Sequence, residues 1–193
     1  MPSQLRRYDE PGHVHFWTIS CYRRLSFFHD DVMKRIAVDA FAGLHRRFGV
    51  CLIGYVVMPD HVHLLLYPHA RGDPMPIPVR RLLQWFKQQV GYYGKRRLEE
   101  IVNSQGRLWS EPLNRWARQG LRRRSIWNVR GHDFNIDRRD TLVEKLDYVH
   151  ANPVTRGLVL RADEWESSSY RYYECPGTSA LAMHWDGQWP IEW

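Results

Sequence analysis

His61 and His63 are the two side chains whose type and spacing most directly suggest chemistry. They lie in Met58-Pro59-Asp60-His61-Val62-His63-Leu64-Leu65-Leu66-Tyr67-Pro68, a run rich in branched aliphatics and bounded by prolines. It is too short for a core helix and reads as a buried strand. Side chains alternate between the faces of a strand, so His61, His63, Leu65 and Tyr67 share one face while Val62, Leu64 and Leu66 take the other. The two imidazoles then stand roughly 7 Å apart along one rigid surface. Neutral imidazole is a common metal ligand, so the pair suits one divalent ion. The competing reading is two histidines hydrogen-bonded beneath a covering helix, but a fully apolar strand has little use for two such groups on one face. A second pair, His13 and His15, sits at a strand start and is read as part of that strand.

Several elements must hold these groups in place. His13–Tyr22 alternates as a strand, with Val14, Phe16, Thr18 and Ser20 on one face and His15, Trp17, Ile19 and Cys21 on the other. Asp30–Phe48 reads as a helix capped by Asp30 or Asp31 and closed by His45-Arg46-Arg47 before Gly49. Val50–Val57 forms a second strand, and its short link through Met58-Pro59-Asp60 makes an antiparallel hairpin with the histidine strand. Val79–Lys95 reads as a helix, residues 98–123 as an irregular basic insertion, and Arg124–Ile136 as the source of a further strand. Asp140–Asn152 is a helix with a Thr141-x-x-Glu144 capping box, expected to stop before Pro153. Its apolar arc is Leu142, Val143, Leu146 and Val149. Tyr148 falls about 150° from the centre of that arc, so docking does not require it, and Asn152 shares its side. Tyr92 and Tyr93, on the preceding helix, are competing tyrosines.

The 193-residue chain is long enough for one domain with a substantial core, taken as residues 1–193 with 174–193 as a C-terminal tail. Abundant aromatics argue against disorder. A formal charge of +7 points to a polyanionic partner. The basic candidates for a phosphate track are Arg6, Arg7, Arg80, Arg81, Lys87, Lys95, Arg96, Arg97, Arg122, Arg123 and Arg124, with Trp109, Trp116 and Trp127 placed to stack unpaired bases. Three scattered cysteines form no CxxC pair, which fits a reducing compartment. With no apolar leader and no apolar run of membrane-spanning length, a cytoplasmic location is expected and a membrane partner is not. No Walker-type glycine loop is present, so no nucleotide cofactor is expected.

The segments GYVVMPDHVHLLLYP, DYVHANPVTRGLV and EWESSSYRYY, in this order, resemble the REP-associated tyrosine transposases, members of the HUH single-tyrosine transposase superfamily. The resemblance spans roughly residues 6 to 173. It implies an α+β fold of βαββαβ, ferredoxin-like type: an antiparallel sheet with helices packed on one face, as an HUH nuclease core. It implies a Tyr148 nucleophile, a 5′-phosphotyrosine intermediate, Mg²⁺ or Mn²⁺ as cofactor, His61 and His63 as ligands, and single-stranded or hairpin DNA of the REP type as partner. Asn152 stands where related enzymes place a polar third ligand, often Gln. Asp60 is expected to orient an imidazole. The family implies a monomer, whereas other single-tyrosine transposases are dimers that exchange the tyrosine helix. Two alternatives remain: a non-catalytic hairpin-DNA-binding regulator, and a metal-dependent nuclease that uses water. The second lacks the carboxylate cluster of two-metal nucleases.

Overall fold

Four strands form one antiparallel sheet in a computed structural model that describes residues 9–73 and 75–191. They are β1 (Val14–Ser20), β2 (Val50–Met58), β3 (His61–Ala70) and β4 (His132–Ile136), in the order β2-β3-β1-β4. With α1 (Asp31–Phe48) after β1 and α2 (Val79–Gln105) after β3, this is the βαββαβ, ferredoxin-like arrangement. Then come α3 (Glu111–Arg118), α4 (Arg139–Thr155) and the short α5 (Tyr170–Glu174). Arg6 and Arg7 lie outside the described residues.

The helices occupy both faces of the sheet rather than one. Trp17, Ile19, Val62, Leu64 and Leu66 join α1 and α2 in one core. Val14, Phe16, Leu65 and Tyr67 meet Leu142, Leu146 and Val149 of α4 in the other. Strand alternation makes this unavoidable, because every central strand is apolar on both sides and each side needs a cover. Burying each Leu or Val of α4 stabilises by about 1.5–3 kcal/mol. Gly54 permits the close approach of α4 to β2: a Cβ there would collide with Leu146 and press on Ser169.

Local signals fix some ends and tertiary contacts fix others. Asp30 caps α1 by accepting from the Met33 N–H at 3.0 Å, and Gly49 closes it at φ 69°. The expected stop of α2 at Lys95 is wrong, since the helix continues to Gln105. Residues 111–118 form α3, so the stretch 98–123 is largely helical; buried Leu98, Ile101, Leu113 and Trp116 anchor it to the core. The last helix also departs from expectation. It starts at Arg139 with no side-chain cap, and it runs through Pro153 to Thr155. Asn152 and Pro153 are buried, and only two residues of helix follow the proline, so packing outweighs one lost hydrogen bond.

The segment EWESSSYRYY and the tail seal the outer edge of β2. Val57 N–H donates to Ser167 C=O at 2.8 Å, Tyr55 N–H to Ser169 Oγ at 2.9 Å and Trp165 Nε1–H to Val57 C=O at 3.0 Å. Further along, His184 N–H donates to Leu52 C=O at 2.7 Å. An edge covered in this way offers no template for another strand. Among the described residues no helix is long and apolar enough to cross a membrane.

Candidate active site

β3 turns both of its histidines toward α4, and the two rings converge at their tips. His61 Nε2 and His63 Nε2 stand 3.1 Å apart with the rings nearly perpendicular, at 85°. Each opposite nitrogen is held. His61 Nδ1 lies 2.6 Å from Asp60 Oδ1, and His63 Nδ1 lies 2.9 Å from Thr18 Oγ1. A carboxylate only accepts, so His61 carries its proton on Nδ1 and presents a lone pair at Nε2. Thr18 can donate or accept. With Thr18 accepting, His63 also presents a lone pair, and the two converging lone pairs demand a cation between them; with Thr18 donating, His63 Nε2–H bonds to His61.

Neighbouring ligands of an octahedral ion bound at roughly 2.0–2.1 Å lie about 3 Å apart, which matches the separation of the two nitrogens. The Oδ1 of Asn152 is buried with no hydrogen-bond partner, one helical turn beyond Tyr148. Among the described residues no group of three or more His, Cys, Asp or Glu could hold a metal, so a third protein ligand would be a neutral oxygen. Two imidazoles and one amide oxygen fit an ion that keeps several waters.

Electrostatics keep His63 neutral. Burial, reinforced by the neighbouring His61, pushes the His63 imidazole down to about 3, so it is neutral near pH 7. For Asp60, burial raises the carboxyl, but the hydrogen bond and charge interaction with His61 and the cations Arg24 and Arg156 outweigh it, and the carboxyl falls below its ordinary range. Arg24 Nη1 is 3.3 Å from Asp60 Oδ2.

Tyr148 projects from α4 over this pair. Its ring centroid is 5.4 Å from that of His63 at 72°, and 6.1 Å from that of Phe16 at 88°; Phe16 itself stacks on His63 at 5.2 Å. The tyrosine is 48% exposed, open to a ligand yet seated on the site. Tyr92 and Tyr93 lie on α2, across the sheet from the histidines, and cannot reach them. Nearby, His150 Nε2 bonds Ser169 Oγ at 2.8 Å and joins α4 to the β2 edge; burial lowers this imidazole to about 4.

The basic residues divide by position, although Arg122 in the grooves also forks onto Glu99 at 2.6 and 3.2 Å. Arg80, Lys87, Lys95, Arg96, Arg122 and Arg123 line two adjoining grooves along α2, of about 490 and 740 Å³. Asn128 lines the smaller groove, and its N–H donates to the C=O of Ser20, the register partner of His61. Arg97 is engaged elsewhere: it forks onto Asp30 at 2.9 and 3.2 Å and secures the start of α1. Arg81 lies over Phe48 and Arg124 over Tyr22. Trp116 and Trp127 are buried in the core, so they are not base-stacking surfaces as expected, and the Trp109 indole N–H donates to Ser26 C=O at 2.9 Å. Sequence reasoning missed Thr18, Arg24 and Arg156 at the site. For Thr18 the alternation of β1 gave the correct face, but only pairing with β3 shows which histidine it meets.

The chain and its fold are similar to known proteins. The family described as Transposase IS200 like matches residues 10–113, over half of the chain. A putative REP-associated tyrosine transposase of Haemophilus influenzae is 23% identical over 168 residues, covering 87% of this chain and 85% of its own. Among solved structures, a REP-associated tyrosine transposase bound to a REP hairpin superposes with a TM-score of 0.62 at 21% identity, covering 96% of this chain and 92% of its own.

Proposed function

The chain belongs to the IS200-like transposase family, and on that premise we propose that it is a metal-dependent endonuclease and strand transferase for single-stranded or hairpin DNA of the REP type. The observation that carries the reading is the meeting of Tyr148 with the converged His61–His63 pair of its own chain. Tyr148 is the nucleophile. His61, His63 and Asn152 hold Mg²⁺ or Mn²⁺, which when bound polarises the scissile phosphate and neutralises charge.

The step is a transesterification. Tyr148 Oη bonds to phosphorus, the bond from phosphorus to the 3′ oxygen breaks, and the phenolic proton ends, by way of solvent, on that 3′ oxygen. The product is a 5′-phosphotyrosine and a 3′-hydroxyl, and because one phosphoester replaces another, rejoining needs no nucleotide cofactor. A phenol has an ordinary pKa of about 10, so it reacts only where positive charge favours the phenolate, and Arg24 and Arg156 add to that charge beside the pair. Asp60 and Thr18 hold the imidazoles in register.

The grooves along α2 take the duplex stem through its phosphates, and the strand end at Ser20 and Asn128 leads the flanking single strand to the other face of the sheet. The whole chain acts as one domain, as a monomer in the cytoplasm, because no exchanged helix is needed to bring a tyrosine to the pair. Incubation with labelled hairpin DNA carrying a single-stranded flank, in Mg²⁺ or Mn²⁺, should give a covalent protein–DNA adduct on denaturing gels. Tyr148→Phe should give none. Cleavage with no adduct in the wild type would assign the reaction to water, and binding alone would make the protein a regulator.

A further inference from the structure

We propose that Arg24 and Arg156 form a phosphate clamp, two guanidinium groups from separate elements that take the non-bridging oxygens of the scissile phosphate. The proposal rests on the reading of the site given above and adds two groups that the histidine–tyrosine constellation does not contain.

Arg24 leaves β1 in a turn that is strained on purpose of position rather than by chance. Arg23 and Arg24 have left-handed backbones, φ 50° and 57°. Such a backbone is strained in a residue other than glycine, and two in succession persist only where their surroundings over-determine them. Here they do. Cys21 N–H donates to Asp60 C=O at 2.8 Å, Phe28 N–H to Pro59 C=O at 2.9 Å, Tyr22 N–H to Ile126 C=O at 2.8 Å and Arg23 N–H to Asn128 Oδ1 at 3.2 Å. The turn is thereby stitched to Pro59-Asp60, the same residues that present His61. A single carboxylate separates the Arg24 guanidinium from the His61 ring, since Asp60 takes one group on each oxygen. The Arg24 side chain remains 50% exposed, and its contact with Asp60 engages one of five guanidinium donors.

Arg156 arrives from the opposite direction. Its N–H closes onto the Asn152 C=O at 3.0 Å, so it stands one turn beyond Asn152 and two beyond Tyr148. At about 100° per residue those three side chains fall within about 80° of one side of α4. Arg24 stands 3.3 Å from Asp60, and Arg156 continues the side of α4 that carries Tyr148 over His63, so the two cations come to the pair from separate elements. A cation at a helix C-terminus also favours the helix dipole, a benefit that is independent of the side of α4 on which Arg156 falls.

In-line attack adds negative charge to the non-bridging oxygens, and a planar guanidinium matches two such oxygens with parallel N–H groups. Donors already fixed in place before reaction stabilise that charge most effectively. The competing role for Arg24 is to hold Asp60, a purely positioning function.

A hairpin with a methylphosphonate at the mapped scissile linkage separates the two, because it removes the charge the clamp would meet while leaving the histidines their task. On the ordinary phosphate, Arg24→Ala and Arg156→Ala should each slow adduct formation about 10²-fold, with Arg24→Lys in between. On the methylphosphonate, each variant should react within a few fold of wild type. Equal losses on both linkages, in variants that melt and bind hairpin as wild type does, would overturn the clamp and leave Arg24 as a positioning residue. No adduct from wild type on either linkage would instead sink the tyrosine-transferase reading, and the clamp with it.

Discussion

The tripeptide His-Val-His occurs twice, at 13–15 and at 61–63, and the two copies have opposite fates. In β3 both histidines face α4, meet at their Nε2 atoms and lie under Tyr148. In the first copy the parity is reversed: Val14 faces α4, while His15 turns with Trp17 and Ile19 toward the opposite side. His15, with no exposed surface, bonds Asp133 of β4 at 2.9 Å, and His13 Nδ1 pairs with the Asn135 amide at 3.3 Å. Identical letters give a pair of converging imidazoles in one place and a cross-strand tie in the other. What differs is the neighbour that each strand register supplies.

The largest expected effect tests this division at its centre. His61→Ala should abolish metal-dependent adduct formation yet leave hairpin affinity and the denaturation midpoint close to wild type, because arginines and lysines carry the binding. His15→Ala should do the reverse, keeping the metal response while lowering stability by about 2–3 kcal/mol in urea titrations, the scale of a buried hydrogen bond to a carboxylate. If His15→Ala stays fully stable, or loses adduct formation while remaining folded, the two copies are not divided as described.

A second, smaller effect follows from proton affinity. His63 and His150 are held at about 3 and about 4, against an ordinary value of about 6.5. Their folded forms refuse protons that the unfolded chain accepts. The stability this represents is whole above pH 6.5 and is lost as pH falls to about 4 for His150 and about 3 for His63, at up to about 1.4 kcal/mol per pH unit for each group. Equilibrium unfolding of wild type and of the His63→Gln, His150→Gln double variant across this range should show a shallower acid slope in the variant. Superimposable profiles would mean that burial does not depress these imidazoles.

The smallest effect sharpens the geometry around the pair. Thr18→Val removes the hydroxyl that holds His63 Nδ1, and metal affinity, read by Mn²⁺ titration, should weaken about 10- to 100-fold. The fold should survive, since Val suits a strand. An unchanged affinity would show that His63 needs no help from β1.

Much of this was legible in the residues. The alternation of β3 assigned the histidine face, the α4 arc separated Tyr148 from the docking stripe, and Asp30 announced the start of α1. Those signals are local, because strand and helix periods act over a few residues. The basic residues were less legible: Arg97 and Arg96 are neighbours in sequence, yet one clamps Asp30 and the other lines a groove. Pro153 misled for a related reason, since burial of Asn152 and Pro153 overrode the local preference against helix.

The sequence by itself determined the family, the alternation of each strand and the chemical identity of the tyrosine and histidines, because these reside in residue types and short spacings. Tertiary structure alone decided which face α4 would cover, that Thr18 would meet His63, that Arg24 would meet Asp60, and that the first His-Val-His would be sealed against Asp133. Each of those contacts joins residues remote in the chain. Strand register and helix docking create them, and both depend on apolar surface finding its cover across the whole molecule rather than on any local preference.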